Sequence, residues 1–232
     1  MIVNFVSAIM IQNLQQIREA YNEFIGEKSF PCVGAKTALG KDQVQTLVVG
    51  NMCCPADDRK ILSFLYDFID AYRNSDSEFH SAAILFNGPV DISEDLFEEF
   101  LWKRLQALLN LDAENYRYDK RVSADPASSE FSFSLKEEAF FIIGLHPASS
   151  RPSRRFAYPA LVFNPHAQFT ALKLTGKYQQ LQKVVRKRDI LYSGDINPML
   201  NDHGRSSEAE QYSGKNYQTP LVCPFNIKHA TN

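Results

Sequence analysis

Cys32 stands in Phe30-Pro31-Cys32-Val33-Gly34, a setting in which a thiol can do more than pack. A cysteine thiolate that ligates iron needs backbone N–H groups aimed at its sulfur, which spread the negative charge and set the redox potential. A glycine two residues on lets the backbone, or a flat macrocycle, approach closely. This pentapeptide therefore has the local chemistry of a thiolate ligand loop for a haem, although a free cysteine also serves simply as a small buried hydrophobe. A second cluster runs from Gly144-Leu145-His146 through Arg151 to Arg154-Arg155-Phe156. It begins where an apolar run ends, a common location for functional loops. His146 has the chemistry of a metal ligand, a proton carrier or a hydrogen-bonded structural residue. Arg151, Arg154 and Arg155 have the forked donors that hold carboxylates bidentately.

Other signals carry less. Gly34 to Lys41 approximates a phosphate loop, but five residues separate its glycines instead of four, and Asp42 stands where Ser or Thr should meet magnesium. No G-x-G-x-x-G follows a strand, so a dinucleotide site has no support. The adjacent Cys53 and Cys54 cannot form a C-x-x-C pair. Cys223 precedes Pro224, which removes one backbone donor near the sulfur and makes it a poorer thiolate site than Cys32.

These residues need a scaffold, and the spacing of apolar positions predicts one. Ile9, Leu14, Ile17, Tyr21 and Phe24 trace a helix that stops near Gly26. The apolar opening, Met1 to Ile11, lacks a basic flank and reads as the start of that helix. Ser29–Leu39 and Val44–Val49 are expected to be extended, with a turn at Gly40. Asp57 or Asp58 is expected to cap a helix facing Ile61, Phe64, Leu65, Phe68 and Tyr72 inward. Ala82–Phe86 forms a short strand, and Ser93, with acids following, caps a helix through Leu109. Strands at Phe140–Leu145 and Ala160–Phe163 precede helices at His166–Leu174 and Tyr178–Leu191, and an irregular tail closes the chain. Strands separated by helices imply an α/β (α+β) fold: one domain, residues 1–232, with a central mixed sheet flanked by helices.

The 232 residues carry 25 Lys+Arg against 27 Asp+Glu, and 44% are hydrophobic. That supplies one substantial core and excludes a disordered chain. Between Ala139 and Arg188 there is no acidic residue, while Arg151, Arg154, Arg155, Lys173, Lys177, Lys183, Arg186, Lys187 and Arg188 are basic. A basic stretch in an otherwise acidic chain points to a bound anion, with an anion-binding interaction protein as one reading. Nucleic acid suits it less, because the nearby aromatics alternate with small residues in a core strand. Four cysteines without a secreted framework and the lack of an 18-residue apolar run suggest a cytoplasmic protein with no membrane partner.

Phe30-Pro31-Cys32 and Cys223-Pro224-Phe225, with Gly144–Phe156, Tyr158-Pro159, Phe163-Asn164, Ile196–Leu200, Asp202-His203-Gly204 and Gln211–Gly214 between them, resemble the YqcI/YcgG family and its FPC and CPF motifs. The resemblance spans nearly the whole chain. It implies a haem-dependent oxygenase that binds haem b, takes O2 as co-substrate, draws electrons from an external reductase and N-hydroxylates a small guanidino or amine substrate. On that reading Cys32 is the first choice for the axial iron ligand and His146 the second. Arg154 and Arg155 would hold the propionates, with Arg151 beside them or facing substrate. Asp202 and Glu208 would receive the cationic nitrogen, and His203 would relay protons. A non-catalytic haem-binding or haem-sensing protein is the alternative. The residues do not specify an oligomeric state.

Overall fold

Short segments rich in Val, Ile, Leu and Phe, three to eight residues long and too short for helices, supply the strands. The computed structural model describes residues 2–195, 206–219 and 221–227, with side chains from Gln12 onward. Its strands are β1 (Val44–Asn51), β2 (Ser81–Gly88), β3 (Phe133–Leu135), β4 (Glu138–Leu145) and β5 (Ala160–Pro165). They form one mixed sheet in the order β1-β2-β5-β4-β3. Only β1 and β2 run parallel; the other pairs are antiparallel. The expected α/β fold is the observed one.

Among the described residues, six α-helices surround the sheet: α1 (Ile2–Gly26), α2 (Val33–Gly40), α3 (Asp58–Arg73), α4 (Glu94–Asp112), α5 (His166–Leu174) and α6 (Lys177–Ser193). Alternation along β2 divides the core. Ala82, Ile84 and Phe86 pack with Leu65 and Phe68 of α3 and Leu101 and Leu105 of α4. Ala83 and Leu85 join Ile17, Tyr21 and Ile25 of α1 on the other face. Period-two side chains on the sheet and period-3.6 stripes on the helices make this two-sided burial possible. None of the helices among the described residues is long and apolar enough to cross a membrane.

Three local expectations differ from the structure. Residues 33–39, expected to be extended, form α2 together with Gly40, the expected turn. Cys32 itself starts that helix, extended at φ −76° and ψ 100°, with its Sγ accepting from the Ala35 N–H. Cysteine is outside the usual set of capping residues, so the start signal was silent. Asp57 occupies the position before α3 but makes no capping bond; its carboxylate instead accepts from Gly50 N at 2.8 Å. The three-residue β3 is additional to the expected strands, although Phe131-Ser132-Phe133-Ser134-Leu135 alternates as a strand does. Its hairpin with β4 turns at Lys136 and Glu137, both at positive φ (50° and 57°), with no Asn or Gly to announce it. Tertiary bonds hold the turn: Lys136 N donates to Asp112 Oδ1 at 2.9 Å, and Arg73 donates to both turn carbonyls.

Candidate functional site

On the α1 face the sheet is not fully covered by side chains. A cavity of about 300 Å³ opens there, within the ~300–1,000 Å³ typical of small-molecule sites. Its floor is made by alternate residues Phe141, Ile143 and Leu145 of β4 and Val162 and Asn164 of β5, which period-two geometry sends to the same face. Tyr21 and Ile25 of α1 form one wall and the Phe30–Ala38 segment another. Tyr178, Leu181, Gln182, Val185 and Asp189 of α6 form the roof. Their spacing places them on one side of that helix. The outer side of α6 faces solvent, so Lys183 and Lys187 are exposed as a solvated helix face should be.

Cys32 lines this cavity. Because it precedes the first turn of α2, its sulfur accepts from Ala35 N at 3.4 Å. Burial raises its pKa, while the N–H groups of Ala35 and Gly34 and the charge of Arg154 pull it down. The group is a thiol that a metal cation would convert to thiolate. A Cβ at Gly34 would sit 3.4 Å from the Phe79 ring and 3.9 Å from the sulfur, so glycine keeps space open beside the thiol.

The three arginines go to three different places. Arg154 is buried, lines the cavity, and donates to the carbonyls of Gly144 and Gln211, each at 3.1 Å. No carboxylate among the described residues pairs with it. Burial and the neighbouring Arg151 charge lower its pKa to about 10, so it remains a cation at neutral pH. Arg151 also reaches the cavity wall, but it is paired with Asp189 at 2.5 Å and Asp195 at 3.0 Å. Arg155 is exposed; it caps the carbonyls of Ser149 and Ser150 and is not among the cavity-lining residues.

His146 does not line the cavity either. Its ring is fully buried and stacks on Phe97 with centroids 4.2 Å apart. Neither ring nitrogen has a hydrogen-bond partner among the described residues, and burial followed by the Arg154 charge lowers its pKa to about 4. Asp202 and His203 lie outside the described residues. Glu208 reaches the cavity. Its Oε1 accepts from Ser132 Oγ at 2.6 Å and Tyr212 Oη at 2.7 Å, and its Oε2 stands 3.9 Å from His166 Nε2. Burial raises its pKa to about 7, against the pull of Ser132, Tyr212 and Lys173.

Sequence reasoning missed Tyr21 and His166 as cavity residues. Tyr21 is hidden in a helical stripe that reads as core. His166 directly follows a strand, a position where ligands commonly sit, and that was the available signal.

Two results are expected from this geometry. Glu208 releases its proton near pH 4.5 when unfolded and near 7 when folded. The folded state thus binds the extra proton between those values, and stability falls as pH rises through the window. Relative to wild type, Glu208→Gln should gain roughly 3 kcal/mol between about pH 4.5 and 7 and nothing further above it. Urea midpoints measured across pH test this, and a parallel pair of curves would refute it. Second, α6 is held at its C-terminal end by the Arg151–Asp189 pair, with Arg188 donating to Phe30 O at 3.0 Å. Asp189→Asn weakens that attachment, so amides of α6 should exchange with solvent faster while those of β2 and β5 do not change. Uniform acceleration in all three elements would show global rather than local loosening.

Among the described residues, the fold and site are those of an α/β protein with a mixed five-stranded sheet and an apolar cavity in which a thiol, an arginine with no carboxylate partner and a protonatable carboxylate meet. The sequence model of a family described as the YqcI/YcgG family matches residues 21–226; the chain belongs to that family. No curated protein and no solved structure matches the chain.

The donor chemistry of the residues present suits the haem that the resemblance implies. No group of three His, Cys, Asp or Glu among the described residues forms a metal cage, whereas an iron carried in a porphyrin needs only one or two axial ligands. Cys32 offers one. The apolar floor suits a flat macrocycle, and Arg154 suits one acid group.

Proposed function

We propose that the cavity binds haem b with Cys32 as the axial ligand, and that the protein N-hydroxylates a guanidino or amino group of a small amino-acid-like substrate. O2 is the co-substrate and an external reductase supplies the electrons. The observation that supports this reading best is the meeting of the Cys32 thiol, the Arg154 guanidinium and the Glu208 carboxylate in one cavity with apolar walls. Haem bound there would supply the O2 activation and one-electron chemistry that side chains lack.

The chain's own residues have distinct tasks in this reading. The first turn of α2 aims N–H groups at the sulfur and stabilises its anionic form. Arg154 neutralises a propionate. Arg151 is committed to Asp189 and Asp195 and keeps the roof in place. Phe141, Ile143, Leu145 and Val162 exclude water, which strengthens every charge interaction inside. Glu208 Oε2 receives the cationic nitrogen of the substrate. With a pKa of about 7, Glu208 can give or take a proton near neutrality. Four free cysteines suit a reducing cytoplasm.

The test is to titrate purified protein with haem, record its absorption, and then supply reductant, O2 and a panel of guanidino compounds and amino acids. Products one oxygen heavier by mass spectrometry are expected. Haem binding without substrate-dependent O2 consumption would indicate a haem-binding or haem-sensing protein instead. Failure to bind haem would overturn the proposal.

A further inference from the structure

Behind Glu208 lies a chain of redox-capable rings that cavity chemistry alone does not require. Tyr212 is fully buried. Its hydroxyl donates to Glu208 Oε1 at 2.7 Å and accepts from Phe133 N at 3.0 Å. A phenol hydrogen-bonded to a carboxylate can lose an electron while its proton moves along that bond, which avoids forming a buried phenol cation. Trp102, the only tryptophan, lies with its ring centroid 6.0 Å from that of Tyr212. It is 6% exposed, so the row ends close to solvent. Phe225 of the Cys223-Pro224-Phe225 segment packs edge-on to Trp102 at 5.0 Å and helps to shield it. The row therefore runs from a cavity carboxylate on one side of the sheet to the α4 side of the molecule.

We propose that Trp102, Tyr212 and Glu208 form a relay that returns reducing equivalents to an over-oxidised cavity. This inference rests on haem occupying the cavity as proposed above. Hydrogen peroxide is the oxidant, and haem in the cavity would supply the O–O cleavage chemistry: reduction of peroxide to two waters takes two protons from solvent and two electrons, both delivered one at a time by Tyr212. As Tyr212 is oxidised, its O–H bond breaks and the proton passes to Glu208 Oε1, leaving a neutral tyrosyl radical. An electron from a one-electron donor at the surface then passes through Trp102 to Tyr212, and Glu208 returns the proton. Two such passages per peroxide, each drawing one electron from the surface donor, complete the reduction and leave Tyr212 and Glu208 as they began. The packing role of the two rings is compatible with this one, since contact distance serves both.

The experiment uses haem-loaded protein in the ferric state, mixed with peroxide and frozen for electron paramagnetic resonance. A tyrosyl signal is expected in wild type and is expected to be lost in Tyr212→Phe, which removes only the hydroxyl, while the haem absorption band is retained. In Trp102→Phe the signal should form but decay more slowly when ascorbate is added. Wild-type protein grown with ring-deuterated tyrosine should show a narrowed signal, whereas ring-deuterated tryptophan should leave it unchanged. A signal of full intensity in haem-loaded Tyr212→Phe, or one indifferent to tyrosine labelling, would overturn the relay alone. Ascorbate decay unchanged in Trp102→Phe would remove Trp102 from it. Absence of any haem band in wild type would overturn the cavity assignment itself, and the relay with it.

Discussion

Cys32→Ser should abolish the thiolate-type absorption band of the ferrous–CO protein while leaving the fold in place. The sulfur has two separable tasks, capping α2 and facing the cavity. Serine is among the best helix caps, whereas Cys32→Ala forfeits about 1 kcal/mol of helix stability as well. A hydroxyl is a hard, weakly acidic group and cannot replace a soft thiolate on iron. The serine variant would thus remove the proposed ligand and keep the cap. Cys223→Ala should retain the band. Cys223 packs beside the α3 and α4 core on the opposite side of the sheet, and burial pushes its thiol up to about 11. His146→Ala should retain it as well, because the imidazole is stacked against Phe97 rather than lining the cavity. An unchanged band in Cys32→Ser, or its loss only in His146→Ala, would disprove the ligand assignment.

The largest effect on stability is expected from adding a single methyl group. A Cβ at Gly144 would lie 2.8 Å from Leu101 Cδ1, from Phe97 Cε1 and from the Tyr212 carbonyl oxygen. Gly144 N also donates to that carbonyl at 2.7 Å, and the Gly144 carbonyl accepts from Arg154. The clash cannot be relieved by one flexible side chain, because a strand, a helix and the 206–213 segment converge there. Gly144→Ala should cost about 3 kcal/mol or more, the upper end of overpacking penalties, and lower the melting temperature by roughly 6–12 °C. It should also shift Arg154 and Glu208, since both depend on how the 206–213 segment docks. A melting temperature within about 2 °C of wild type would mean that the segment moves away freely, and the description of a tight three-way contact would be wrong.

Much of the scaffold was legible because its signals are local. The stripe on α3, the Ser93 cap of α4 and the apolar runs of β2, β4 and β5 each contain their own periodicity. Those elements lie where the spacing predicts. The α2 start and the β3–β4 turn were illegible for the opposite reason. The helix is begun by a thiol accepting an N–H, and the hairpin turn is held by Asp112 and Arg73 from distant helices.

The site divides along the same line. The amino-acid sequence by itself determined the chemical inventory: a cysteine with donors and a glycine beside it, arginines without local acids, and a carboxylate in the tail. Those properties follow from residue type and immediate neighbours. Only the tertiary structure decided which of them face a common cavity. Asp189, 38 positions after Arg151, neutralises that arginine, Arg155 turns to solvent, and Arg154 is left inside with no acid partner among the described residues. Partner choice among like charges depends on which helix folds back over the sheet, and no pattern local to the three arginines encodes that.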